Sequence, residues 1–75
     1  MAGGEDMNYC ERLRILRERK GLSQKQVADY LQTTQSYYAQ YERNLRQMPF
    51  DRAIELAKLY HVSLDYIAGL TDILE

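Results

Sequence analysis

Three residues, Gln32, Thr33 and Thr34, separate two segments whose apolar positions recur at helical spacing. A link this short favours a steep crossing of the two helices over an antiparallel pair. Ala28 lies one turn before the link, where a small side chain lets the helices approach closely. That is helix-turn-helix geometry; a generic helical hairpin is the alternative. In a chain of 75 residues, one domain at most, this corner constrains most of the remaining architecture.

The wider pattern predicts five helices and no strand, repeat or low-complexity stretch. The first covers about 9–20, with Leu13 and Leu16 on one face and Gly21 as a left-handed end. The second opens at Ser23, which forms a capping box with Gln26, and buries Val27, Ala28 and Leu31. The third follows Thr34 as N-cap, runs to about Arg43 and turns Tyr38 and Tyr41 inward. The fourth begins near Pro49, a residue suited to a first helical turn, and is expected to bury Phe50, Ala53, Ile54, Ala57 and Tyr60. The fifth is short, about 63–68, and Gly69 ends it.

Residues 1–8 read as a flexible lead-in, 9–70 as the folded domain and 71–75 as a tail. Met7 could be the natural start. The overall charge of −1 argues at first against a nucleic-acid partner, but it is unevenly spread. Residues 9–48 hold eight cations against four acids, while 49–75 hold five acids and two cations. A basic front of this kind suits a polyanion. No apolar run approaches the roughly 18 residues of a membrane span, and the polar, Gly-rich start is no signal peptide. The single cysteine, Cys10, excludes an internal disulfide and fits a reducing cytoplasm. One histidine and one cysteine, distant in sequence, are too few for a zinc site, which uses three or four protein ligands. No cofactor is expected. No Ser/His/Asp set, phosphate loop or paired-carboxylate cleft is evident, so the sequence gives no support to an enzyme. The seven tyrosines read as packing residues.

At this point a resemblance enters. A basic first helix, Gly21-Leu22-Ser23-Gln24, the Val27-Ala28 pair on the second helix, Tyr41-Glu42-Arg43 ending the third and Val62-Ser63-Leu64-Asp65 near the end stand in a characteristic order. The chain resembles the Cro/phage-repressor, or xenobiotic-response-element, regulators over residues 11–70. The resemblance implies a compact, all-α, five-helix lambda-repressor-like domain that binds double-stranded DNA and regulates transcription, as a repressor by type. Three departures stand out: Gln32, Asn44 and His61 occupy helix ends where the family usually has Gly. Asn and His tolerate positive φ better than Gln does. Local strain or a slightly altered turn is expected at Gln32.

The resemblance also implies that the third helix enters the major groove. Gln35, Ser36 and Gln40 would then read bases, with Tyr37 and Ala39 on the same outward face. A Gln amide sets donor beside acceptor and can pair bidentately with adenine. Ala39 suits a thymine methyl; Tyr37 could reach a phosphate or a base. Gln24, opening the second helix, would meet a phosphate through its side chain and backbone N–H. Arg43, Asn44, Arg46 and Gln47 would grip the backbone across the groove. Arg14, Arg19 and Lys20 read as solvated charges.

Arg17 and Glu42 each fall on an apolar stripe, four residues after Leu13 and Tyr38. A charge there needs a partner, and opposite signs on facing helices predict a structural ion pair. Cys10 reads as a semi-buried packing residue. A homodimer on a two-fold operator is the expected assembly, with half-sites about 34 Å apart. Leu70, Ile73 and Leu74 have helical spacing and could meet a second copy or pack on their own chain. An antitoxin or adaptor working through protein contacts is the alternative function.

Overall fold

The computed structural model describes residues 9–71. Among these, five helices follow in order: α1 (Tyr9–Arg19), α2 (Gln24–Tyr30), α3 (Gln35–Glu42), α4 (Phe50–Tyr60) and α5 (Leu64–Ala68). The lead-in expected over 1–8, and Ile73 and Leu74 of the tail, lie outside the described residues.

Side-chain caps start three of the helices. Ser23 and Gln26 exchange the reciprocal bonds of a capping box at α2, Thr34 Oγ1 accepts from the Tyr37 N–H at α3, and Ser63 Oγ accepts from the Tyr66 N–H at α5. Each satisfies a donor that the first helical turn leaves unpaired. The helix ends share a different device. At every one of the five, a left-handed residue turns the chain so that two successive N–H groups fold back on the last turn, as in Thr33 to Ala28 (2.9 Å) and Gln32 to Asp29 (3.1 Å). Glycine fills this position at Gly21 and Gly69; Gln32, Asn44 and His61 fill it with φ of 61°, 60° and 57°.

The core is built from Leu13 and Leu16 of α1, Val27 and Ala28 of α2, Leu31, Tyr38 and Tyr41 of α3, Leu56 and Tyr60 of α4, and Tyr66 and Ile67 of α5. Burial of this apolar surface is the main favourable term in so small a fold. α2 packs across α3, α1 rests on α3 and α5, and α4 leans on α5.

α4 differs from the expected phase. Phe50 is 71% exposed, and Leu56, which the sequence reading passed over, is fully buried. The inward stripe runs through Ala53, Leu56, Ala57 and Tyr60, the i, i+3, i+4, i+7 set. Phe50 is the first residue of the helix, and helical side chains lean toward the N-terminus, which carries its ring past the end of the core.

Arg12 is a second difference. It counted among the front's cations, yet it is 4% exposed. Its Nη1 donates to the carbonyls of Tyr66 (3.2 Å) and Thr71 (3.1 Å), and the guanidinium lies 4.5 Å over the Tyr66 ring. Arg12 thus fastens α1 to the end of α5. Cys10 is also more enclosed than expected, at 2% exposure, with its thiol donating to Asn44 Oδ1 at 3.4 Å.

Candidate nucleic-acid interface

The buried stripe of α3, Tyr38 and Tyr41, fixes which residues it presents to solvent. Gln35, Ser36 and Tyr37 are exposed, Ala39 and Gln40 half-exposed. Helical geometry sets Ser36, Gln40 and Arg43 near the centre of that outward face. Gln35 and Ala39 flank it on one side and Tyr37 on the other.

The loop after α3 closes back on this face. Arg46 Nε donates to Gln40 Oε1 at 3.2 Å, and its guanidinium lies 4.4 Å over the Tyr37 ring. Gln40, Tyr37 and Arg46 therefore form one cluster. Arg43, Asn44 and Gln47 are exposed nearby in sequence, and Asn44 is held by the Cys10 thiol and its own left-handed backbone.

Beneath the face lies the expected ion pair. Arg17 Nε and Nη2 donate to the two Glu42 oxygens at 2.7 and 3.1 Å. The Tyr38 hydroxyl adds a bond of 2.6 Å and the Gln24 amide one of 3.2 Å. Arg17 Nη1 also donates to the Leu22 carbonyl, tying the α1–α2 turn to the same group. Burial by itself would raise the Glu42 carboxyl, but the bonds from Arg17, Tyr38 and Gln24 outweigh it and the carboxyl is held below its ordinary value. The same carboxylate raises Arg17. Burial first, and then the bond to Glu42, pushes the Tyr38 hydroxyl well above the usual tyrosine range.

The Gln24 amide thus serves the interior, while its backbone N–H stays at the start of α2. Among the surface cations, Arg14 pairs with Glu18 at 3.4 Å and Lys25 with Asp29 at 3.2 Å, one turn along their own helices. Arg19 and Lys20 are exposed.

Sequence reasoning passed over Arg52. From the first turn of α4 its Nη1 donates to the Tyr41 hydroxyl at 2.9 Å, and its guanidinium lies 5.5 Å over the Tyr37 ring. Nothing in local spacing points to this contact, because it joins elements separated by a loop. Adjoining the loop at Gln47, residues Tyr9, Met48, Pro49, Phe50, Ala53 and Ile67 line an open apolar groove of about 620 Å³. Among the described residues no cluster of His, Cys, Asp or Glu could hold a metal ion, and no helix is long and apolar enough to cross a membrane.

Five helices among the described residues, with the second and third meeting across four residues, Leu31 to Thr34, one more than the sequence predicted because Leu31 caps α2 instead of continuing it, define a helix-turn-helix domain. The chain belongs to the helix-turn-helix family, whose model matches residues 13–67. It is 45% identical over 64 residues to the uncharacterized HTH-type transcriptional regulator YobD of Bacillus subtilis (strain 168), covering 85% of this chain and 57% of that protein. It is 33% identical over 67 residues to the HTH-type transcriptional regulator ImmR of the same organism, covering 89% and 53%. The chain thus spans little more than half the length of these relatives. The crystal structure of the P22 c2 repressor protein in complex with synthetic operator 9T has the same fold, with a TM-score of 0.74 at 21% identity, covering 81% of this chain and 92% of that one.

Proposed function

We propose that this chain is a sequence-specific binder of double-stranded DNA, the DNA-reading part of a transcriptional regulator that acts as a repressor, and not an enzyme. The observation that carries this reading is the outward face of α3, a row of polar and small side chains left in solvent by a helix whose other face is fully buried. Gln35, Ser36, Tyr37, Ala39 and Gln40 read base edges in the major groove. Arg43, Asn44, Arg46 and Gln47 hold the phosphates on one side, and the start of α2 at Gln24 holds them on the other. The names of YobD and ImmR, and the operator in the P22 c2 complex, support the same reading. Two copies bind a two-fold operator with half-sites about 34 Å apart, in the cytoplasm.

The test is duplex binding measured at several salt concentrations, after selection of a preferred sequence from random duplexes. The logarithm of affinity should fall linearly with the logarithm of salt, at about 0.9 per phosphate held. Salt-independent binding, or none, removes the proposal. One observation favours a second reading, an antitoxin or adaptor module: the apolar groove beside the exposed Phe50 ring suits a protein partner. That reading predicts no salt-sensitive duplex binding.

A further inference from the structure

Tyr37 is held in an unusual way for an exposed side chain on a reading face. Its ring stands edge-on to Tyr41, with centroids 5.7 Å apart and planes at 75°. Two guanidiniums approach it, Arg46 at 4.4 Å and Arg52 at 5.5 Å. Cations over an aromatic face are attracted by its quadrupole, so these contacts restrict the rotamers that an exposed tyrosine would otherwise sample. Arg52 is itself anchored: its Nη1 bonds the hydroxyl of Tyr41, a residue with no exposed surface. A line of contact therefore runs from a buried hydroxyl, through the Arg52 guanidinium on α4, to a ring on the outward face of α3.

We propose that Arg52 is a positioning residue for base recognition, which holds the Tyr37 ring as a fixed apolar edge against a thymine methyl in the major groove. The proposal rests on the DNA reading above. In the groove, the C5 methyl is the one apolar mark by which thymine differs from the other bases. An aromatic edge fixed beforehand discriminates better than a mobile one, because no rotamer freedom has to be lost on binding. Arg46 belongs to the loop and can leave Tyr37 for a phosphate; Arg52 stays, bonded to the interior.

The experiment measures affinity for the selected duplex and for copies in which each thymine in turn is replaced by uracil, which lacks the methyl. Wild type should lose about fourfold at one step, the value of one methyl-sized group withdrawn from water. Tyr37→Ala should abolish that difference. Arg52→Met should abolish it too, with the salt slope unchanged, and Arg52→Lys should restore part of it through the bond to Tyr41. Tyr41→Phe is the decisive variant: it keeps the core ring, removes only the anchoring hydroxyl, and alters a residue that cannot touch DNA. It should lower thymine discrimination as Arg52→Met does, and it carries the test should Arg52→Met fail to fold. Full discrimination in Arg52→Met or Tyr41→Phe overturns the proposal and leaves the DNA reading standing. A salt slope shallower by about one in Arg52→Met makes Arg52 a phosphate contact and overturns it as well. Failure of wild type to bind any duplex overturns the DNA reading itself.

Discussion

Gln24, at the start of α2, donates from its side-chain amide to the Glu42 carboxylate at the end of α3, 3.2 Å away. The two helices of the corner are thus tied at the ends remote from their connecting turn, on a carboxylate that also holds Arg17 of α1. Glu42 is a joint between three helices. Its side chain is 3% exposed and that of Arg17 12%. Glu42→Gln should cost about 3–5 kcal/mol in a urea titration at neutral pH, because it strands a guanidinium in a nearly closed site. A change under 1 kcal/mol would mean that solvent already compensates Arg17.

The same joint sets a pH dependence. The Glu42 carboxyl sits below its ordinary value of 4.5 once its hydrogen bonds have outweighed burial. A carboxyl with a depressed folded pKa binds fewer protons folded than unfolded. Its contribution is therefore complete above about pH 4.5 and is lost as the pH falls through the lowered folded value. Between pH 6 and pH 3 the urea midpoint of the wild type should fall more steeply than that of Glu42→Gln. Parallel curves would assign acid sensitivity to other carboxylates.

At the turn, Gln32 holds a left-handed conformation with φ of 61°. For a residue with a β-carbon this costs about 1–2 kcal/mol, whereas glycine adopts it without strain and loses about 0.5–1 kcal/mol in chain entropy. Gln32→Gly should accordingly raise stability by up to about 1 kcal/mol, seen as a higher melting temperature. Asn44→Gly should gain less, since Asn tolerates the conformation and its Oδ1 accepts from Cys10. Equal shifts would remove the strain argument.

Gln35→Ala and Arg46→Ala should fail differently on DNA. The first should cost roughly 1–3 kcal/mol of specific affinity and relax preference at one base position. The second should weaken every duplex alike and make the salt slope shallower by about one. Because Arg46 also bonds Gln40, altered base preference at constant slope would show that it braces a reader instead of holding a phosphate.

Much of this was legible in the sequence because it is local. The Ser23–Gln26 box and the Thr34 cap are decided within a few residues of chain and stand as expected; the left-handed ends at Gln32, Asn44 and His61 followed from the resemblance, in which glycine usually holds those places. The Arg17–Glu42 pair was legible for another reason: a charge on an apolar stripe announces that it needs a partner. The same logic applies to Arg12, which lies four residues before Leu16 on α1, but its neighbours Arg14 and Arg19 in the basic run are exposed, and composition does not separate it from them. Phe50 was misread because the stripe of α4 was started one turn too early. Arg52 and the Gln24 amide left no local trace, since each finds its partner across a junction that only the packed helices create.

The enclosed thiol on α1 supplies a native stopwatch. Cys10 has almost no accessible surface and shares its proton with Asn44 on the loop beyond α3. A thiol reagent can reach it only when α1 parts from that loop, so the labelling rate counts openings of the domain. Where reclosure is fast, that rate follows the equilibrium fraction open, and an alkylation assay reads the free energy of opening at this contact, an opening that can be local, without any introduced probe.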